Sequence, residues 1–241
     1  MISIIPVHGL PEIREGDDLA ALVIGLIDLE ENDVLVLAQK GVSKVEGRVV
    51  QLDGIEASED AIRIAAGERD PREIEVILGE AKSIIRERGP LLITETLHGF
   101  ICASAGVDHS NAPGPGMLVL LPLDPDASAR RIRDRVHELT GRSVGVVITD
   151  SFGRPFRHGT TDVAIGIAGI PAILDLRGTT DRAGYELRAS RTAIADEIAA
   201  ASDLVRGKAD GVPAVVVRGL QLPGDGTAQE LLIEREFDLF A

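Results

Sequence analysis

Two aspartates of this chain sit in matching surroundings. Asp108 follows the apolar stretch ICASAGV, Asp150 follows VGVVIT, and a hydroxyl lies within two residues of each, Ser110 and Ser151. Both are expected at strand ends, where mixed α/β proteins place ligands. Carboxylates brought together stay ionised only with a cation between them, and magnesium or manganese is the natural partner for oxygen donors. The alternative is that both cap local backbone at turns. Past Asp150 come Arg154, Arg157 and His158, with Arg142 just upstream. A carboxylate beside that many cations suits an anionic, metal-bound ligand. These three are expected in a Gly/Pro loop, a better place for a site than a helix face.

Lys40 and Lys44, in AQKGVSKVEGR, are read as flanking a strand–turn–strand segment. There they either bind phosphate as point charges or stand in solvent. Asn111 either hydrogen-bonds a base or sugar or makes an Asx turn before Pro113. Arg130, Arg131, Arg133 and Arg135 share one helix and read as its solvated face.

Several chemistries are disfavoured. The chain carries no GxxxxGK[ST], no GxGxxG after a strand, no HExxH and no GxSxG, so the commonest phosphate loops, a zinc hydrolase and a serine hydrolase find no support. One cysteine, Cys102, allows no intramolecular disulfide and is read as a small buried residue. The net charge of −14 argues against a nucleic-acid binder. The start, MISIIPVHGLPEI, lacks the basic and long apolar regions of a signal peptide, and no apolar run reaches membrane-spanning length. A cytoplasmic protein without nucleic-acid or membrane partners is expected.

The elements that must position these residues follow from periodicity. With aromatics at 2%, the core must be aliphatic. Residues 17–27 carry a helical apolar face, 33–39 read as a strand, and GVSKVEGRVVQL reads as a turn and second strand. Residues 71–88 read as one helix, capped by Asp70, opened by Pro71 and closed by Gly89. Residues 91–97 and 100–105 form a hairpin around His98-Gly99. Residues 117–123 return to strand, 126–140 form an amphipathic helix closed by Gly141, and 144–149 a strand. A helix over 190–205 and a strand over 213–217 complete the series. Strands and helices mix without strict alternation, which predicts a mixed α/β (α+β) fold. The Pro/Gly stretch 112–116 is a candidate subdomain boundary.

Seven stretches, in order, resemble the coenzyme F420-0:γ-glutamyl ligases: GLPEIREGDDLA, DVLVLAQKGVSKVEGRVV, AGVDHSN, LLPLDPDASARRIR, VGVVITDSFGRPFRHG, VAIGIAGIPAILDLRGTTDRAGYEL and ADEIAAASDLVRGKADGVPAVVVRG. The resemblance covers nearly the whole chain. It implies a fold particular to that family, spanning 1–241 as a single ligase unit, and a homodimer with the active site near its interface. The reductase domain fused to some members is not expected after Ala241. The implied activity is GTP-dependent. The carboxylate of the deazaflavin coenzyme precursor is phosphorylated, and the amine of L-glutamate attacks the acyl phosphate to give a γ-linked product, GDP and phosphate. Such chemistry rests on positioning and charge neutralisation, so no Ser/His or Cys/His constellation is needed.

Carried over residue by residue, the resemblance implies nucleotide contacts at Gly9, Leu10, Pro11 and Glu12, at Gln39, Lys40 and Lys44, at Asn111, and in the 206–213 loop with Gly207, Lys208, Ala209, Asp210 and Gly211. Lys44 is the candidate charge stabiliser. Asp108 and Asp150 match metal ligands and Ser151 a ligand of a second metal, for one or two Mg2+ or Mn2+ ions, with K+ as a further activating ion. Some members carry Glu or Gln where this chain has Lys208. A protonated lysine cannot ligate, which leaves Asp210 as the substitute. Arg154, Arg157 and His158 are assigned, from charge and position, to the precursor or to incoming glutamate. Two other readings stay open: a ligase of the same fold with another acceptor, and a GTP- and metal-binding protein with impaired catalysis.

Overall fold

The fold was obtained as a computed structural model in which residues 1–207 and 210–238 are described. The chain begins with β1 (Ser3–Pro6), α1 (Leu19–Ile24), β2 (Val34–Ala38), α2 (Gln39–Val45), β3 (Val49–Gln51), α3 (Glu59–Ala65) and α4 (Pro71–Glu80). Strands β4 (Ala81–Arg88), β5 (Leu91–Thr96), β6 (Ile101–Ala103) and β7 (Met117–Val119) come next. Then follow α5 (Pro125–Thr140), β8 (Gly145–Arg154), β9 (Arg157–Ala168), β10 (Leu174–Asp175), β11 (Arg191–Thr192), α6 (Ile194–Arg206) and β12 (Ala214–Arg218).

The strongest apolar runs pair into one sheet of order β1-β12-β2-β8-β9. Only β2 and β8 run parallel; the other pairs are antiparallel. VLVLA of β2 and AVVVR of β12 are buried almost throughout, as expected of strands covered on both faces. Helices α5 and α6 pack against β9, and α6 also reaches β12 and β1. A second core gathers Leu52, Ile64, Ile74, Ile77, Leu92 and Leu118, from α3, α4, β5 and the β3–β7 pair. The fold is mixed α/β with several sheets, as the periodicity predicts. Segment 112–116 is the loop that enters β7, within the stretch that builds this second core. Among the described residues, no helix is long and apolar enough to cross a membrane.

Helix α5 is delimited as its sequence dictates. The Asp124 carboxylate accepts from the Ala127 N–H at 2.8 Å, and Gly141 closes the other end in the left-handed conformation, φ 70°. Three expectations need correction. Residues 71–88 are not one helix: α4 stops at Glu80 and 81–88 form edge strand β4, paired with β5. Beyond Glu80 the helical apolar positions find no core, and the adjacent Ile84 and Ile85 suit a pleated strand better. The segment after β2 is not a turn and strand but helix α2. Val42 is buried against the main core and Val45 packs on it, and Gly41 lets Ile13 approach closely. Finally, β8 does not end at Thr149. It runs to Arg154 and turns into β9, so Arg154, Arg157 and His158 lie on a hairpin tip rather than in an open loop.

Close backbone packing at Gly166 in β9 sets the distance between that strand and α5: a Cβ there would lie 2.4 Å from the Pro125 carbonyl oxygen. Gly166→Ala is therefore expected to cost about 1–3 kcal/mol in urea unfolding. Gly79→Ala, in α4 with nothing within 4 Å of the added carbon, should be neutral or stabilising by up to about 1 kcal/mol. Equal behaviour of the two variants would contradict this packing account.

Candidate functional site

A cleft of about 530 Å³ opens at the carboxyl ends of the parallel pair β2 and β8, the position that open α/β sheets favour for ligands. The N-terminal turn (Leu10, Pro11, Glu12), α2, the 108–111 loop, the middle of β8 and the end of α6 all line it. The first turn of α2 follows directly on β2, which brings Lys40 and Lys44 to one wall. Helix geometry, four residues apart, puts both lysines on the same face.

The two aspartates picked out from the sequence meet in this cleft and differ in charge state. Asp108 is bridged to Val119 and accepts from Ser110 N–H at 2.9 Å through Oδ1. Its Oδ2 accepts from Lys40 Nζ at 2.5 Å, and Lys40 also donates to Ser110 Oγ. Burial works to raise the Asp108 pKa, but the hydrogen bonds from Lys40 and Ser110 outweigh it and hold the group at about 2. Asp150 has no ion pair among the described residues. Burial pushes its carboxyl up to about 7, against the Ser151 N–H and Lys40, and the charges of Asp162 and Asp108 add to the push. One turn further along α2, Lys44 is buried and donates to Glu12 at 2.6 Å.

A third carboxylate, Asp162 of β9, was not anticipated. It lies opposite Ser151 in the β8–β9 register and is 2% exposed. Ser151 Oγ donates to its Oδ1 at 2.6 Å, while Thr149 Oγ1 at 2.9 Å and Arg206 Nη1 at 2.6 Å donate to its Oδ2. Arg206, the last residue of α6, also donates to Thr149 Oγ1 at 2.7 Å. Its Nε and Nη2 are buried without a hydrogen-bond partner among the described residues, and desolvation lowers its pKa despite the Asp162 charge. The signal in the sequence was a lone acid opening an apolar strand; without the hairpin register it pointed nowhere.

The remaining expected positions divide clearly. Leu10, Pro11, Glu12, Gln39, Lys40, Lys44, Asp108, Asn111, Asp150, Ser151, Gly207 and Gly211 line the cleft. Asn111 is exposed in a turn with left-handed φ of 59°. The Gln39 side chain is turned inward, its Nε2 donating to Ser43 Oγ and the Leu120 carbonyl, both at 2.7 Å. Gly9 and Asp210 fall outside the cleft lining, though the Asp210 carboxylate lies against Gly207. Lys208 and Ala209 lie outside the described residues. Phe152 and Gly153 still line the cleft, but Arg154, Arg157 and His158, one step further along the hairpin, do not. Arg157 and His158 are exposed, and Arg154 Nη2 donates to the His158 carbonyl at 3.0 Å. Cys102 also lines the cleft, with burial first among the causes that push its thiol to about 12, so it is no thiolate nucleophile at neutral pH.

The donor set fits a hard divalent cation. No three His, Cys, Asp or Glu side chains converge at ligand spacing among the described residues, which disfavours an all-protein cage. Two carboxylates and a hydroxyl facing a cleft suit magnesium or manganese, whose other ligands come from phosphate and water. An under-neutralised Asp150 is the feature such a cation would relieve.

Comparison with known proteins gives a consistent result. The F420-0:Gamma-glutamyl ligase family matches residues 9–219. The Coenzyme F420:L-glutamate ligase of Methanothermobacter thermautotrophicus is 45% identical over 99% of this chain and 98% of its own length. The protein of the same name from Methanopyrus kandleri is 50% identical over 91% of this chain and 88% of its own. That from Archaeoglobus fulgidus is 44% identical over 99% and 96%.

The state of Asp150 predicts a pH dependence. Its pKa is higher folded than unfolded, so the folded state holds the extra proton and stability falls as pH rises from about 4 towards 7. Without divalent cation, Asp150→Asn should be more stable than the parent at pH 8, by roughly 1–3 kcal/mol, and the gain should vanish towards pH 4. Thermal melts across that range check this; a variant no more stable at pH 8 would refute the burial of an uncompensated charge.

Proposed function

This chain belongs to the F420-0:γ-glutamyl ligase family, and on that premise we propose that it is a GTP-dependent ligase joining L-glutamate to a deazaflavin coenzyme precursor. The precursor carboxylate takes the γ-phosphate of GTP, releasing GDP. The glutamate amine then attacks the acyl carbon, forming the amide as phosphate leaves. The observation that carries this reading is the convergence, in one cleft, of two unlike carboxylates with two lysines.

In this reading Asp108, Asp150 and Ser151 hold Mg2+ or Mn2+, which when bound supplies charge neutralisation on the transferred phosphoryl group. The residues of the chain do the rest. Lys44 is held at the cleft wall by Glu12 and exchanges that carboxylate for a phosphate oxygen. Lys40 has the same choice between Asp108 and phosphate. Both stabilise negative charge as it develops, and neither needs to form a covalent bond. Leu10, Pro11, Glu12, Asn111, Gly207 and Gly211 bound the remaining space and would enclose the nucleotide. Arg154, Arg157 and His158 stand just beyond the cleft wall, where an anionic precursor or glutamate extending out of the cleft would meet them. A homodimer with the cleft near its interface, and activation by K+, belong to the same proposal.

Incubation of the precursor with GTP, Mg2+ or Mn2+ and L-glutamate, followed by mass spectrometry, should show a gain of one glutamyl residue or a ladder of them. No gain while GTP still binds would favour another acceptor or an impaired ligase. Phosphate release independent of acceptor would point to a phosphatase instead. Within the assay, Lys44→Ala should lower kcat/KM for GTP by roughly 100-fold. Arg157→Ala should raise the KM for precursor or glutamate more than that for GTP, and a selective GTP defect there would overturn the role given to the hairpin tip.

A further inference from the structure

Asp162 is buried, yet it caps no helix and supports no backbone turn. All of its side-chain hydrogen bonds among the described residues come from Ser151, Thr149 and Arg206. We infer that Asp162 is a positioning residue: it holds the Ser151 hydroxyl, proton inward and lone pairs towards the cleft, in the orientation that a divalent cation requires.

A serine hydroxyl has one proton and two acceptor lone pairs. Ser151 Oγ gives its proton to Asp162 Oδ1 at 2.6 Å. That bond fixes the side-chain torsion, frees both lone pairs and makes the oxygen more electron-rich, as carboxylates do for metal ligands they touch. Asp162 borders the cleft, but its bonds commit it to these neighbours rather than to a ligand role. Its Oδ2 is saturated by Thr149 at 2.9 Å and Arg206 at 2.6 Å, and its side chain is 3% exposed. Arg206 supplies a counter-charge to this carboxylate at 2.6 Å, while its bond to Thr149 orients that hydroxyl towards Asp162. The antiparallel register, which sets Ser151 directly against Asp162, is what delivers the pair.

This inference rests on the metal reading of the cleft, and its test separates the two. Mn2+ binding to the full-length protein is followed by electron paramagnetic resonance, for the parent, Ser151→Ala, Asp162→Asn and the double variant. Thermal melts report whether each is folded. Each single variant is expected to weaken Mn2+ binding by roughly 10-fold or more. The double variant should bind no more weakly than Ser151→Ala, because Asp162 acts through Ser151. If Asp162→Asn leaves Arg206 unpaired and unfolds the chain, Asp162→Asn with Arg206→Gln, a neutral pair of similar shape, takes its place with the same expectation. Parent-like affinity in a folded Asp162 variant, or losses that multiply in the double variant, would overturn the positioning role alone. Absence of Mn2+ binding by the parent, with or without GTP, would overturn the metal reading and this inference with it.

Discussion

A carboxylate withdrawn from water has to be neutralised, by a proton, by a cation or by donated hydrogen bonds. Among the carboxylates that line the cleft, Asp108, Asp162 and Asp150 meet that requirement in three different ways. Asp108 takes Lys40, Asp162 takes Arg206 and two hydroxyls, and Asp150 keeps a proton to near neutrality. The surrounding structure can be read as the means of holding these three states apart. If all were paired by protein cations, the cleft would have no demand for an external one. If none were paired, self-repulsion would oppose folding. Leaving one of the three uncompensated makes a site that gains most when a cation and an anionic ligand enter together.

The fold delivers this arrangement through a small number of devices. The parallel pairing of β2 with β8 opens a cleft at their carboxyl ends, and α2 springs from β2 so that Lys40 and Lys44 arrive on one helical face. A register shift between Ile148 and Thr149 falls just before Asp150, where such irregularities re-aim side chains beside functional sites. The second core, under α3 and α4, carries the Asp108 loop against the main sheet. The cleft therefore joins residues from two hydrophobic cores, and its geometry depends on both.

Much of the site was legible in the sequence because it marks the end of burial. Asp108 and Asp150 stand where apolar runs stop, which a reader can see without knowing the pairing. For Asp150 the run ends but the strand does not: β8 continues as a half-buried ribbon, so composition reports full burial rather than hydrogen bonding. Asp162 was illegible for the complementary reason. Its importance comes from lying opposite Ser151, and RPFR reads as a loop until the hairpin register is known. Tertiary contacts overrode local signals elsewhere as well. Gly41 and the short spacing of Val42 and Val45 concealed α2, and a continuing helical period concealed the edge strand β4. The resemblance pointed to several residues that line the cleft, such as Lys40, Asp108 and Asp150, but not to Asp162, and their pairing came only from the structure.

The most direct test of the account is proton release on cation binding. Mn2+ is titrated into the protein by calorimetry at pH 6, in buffers of different ionisation enthalpy, so that the buffer-dependent heat counts the protons set free. With the Asp150 pKa near 7, the account predicts release of about one proton per protein in the parent and close to none in Asp150→Asn. Mn2+ binding by the parent with no proton release would contradict it, because Asp150 would then be ionised already and the cleft would hold no uncompensated carboxylate.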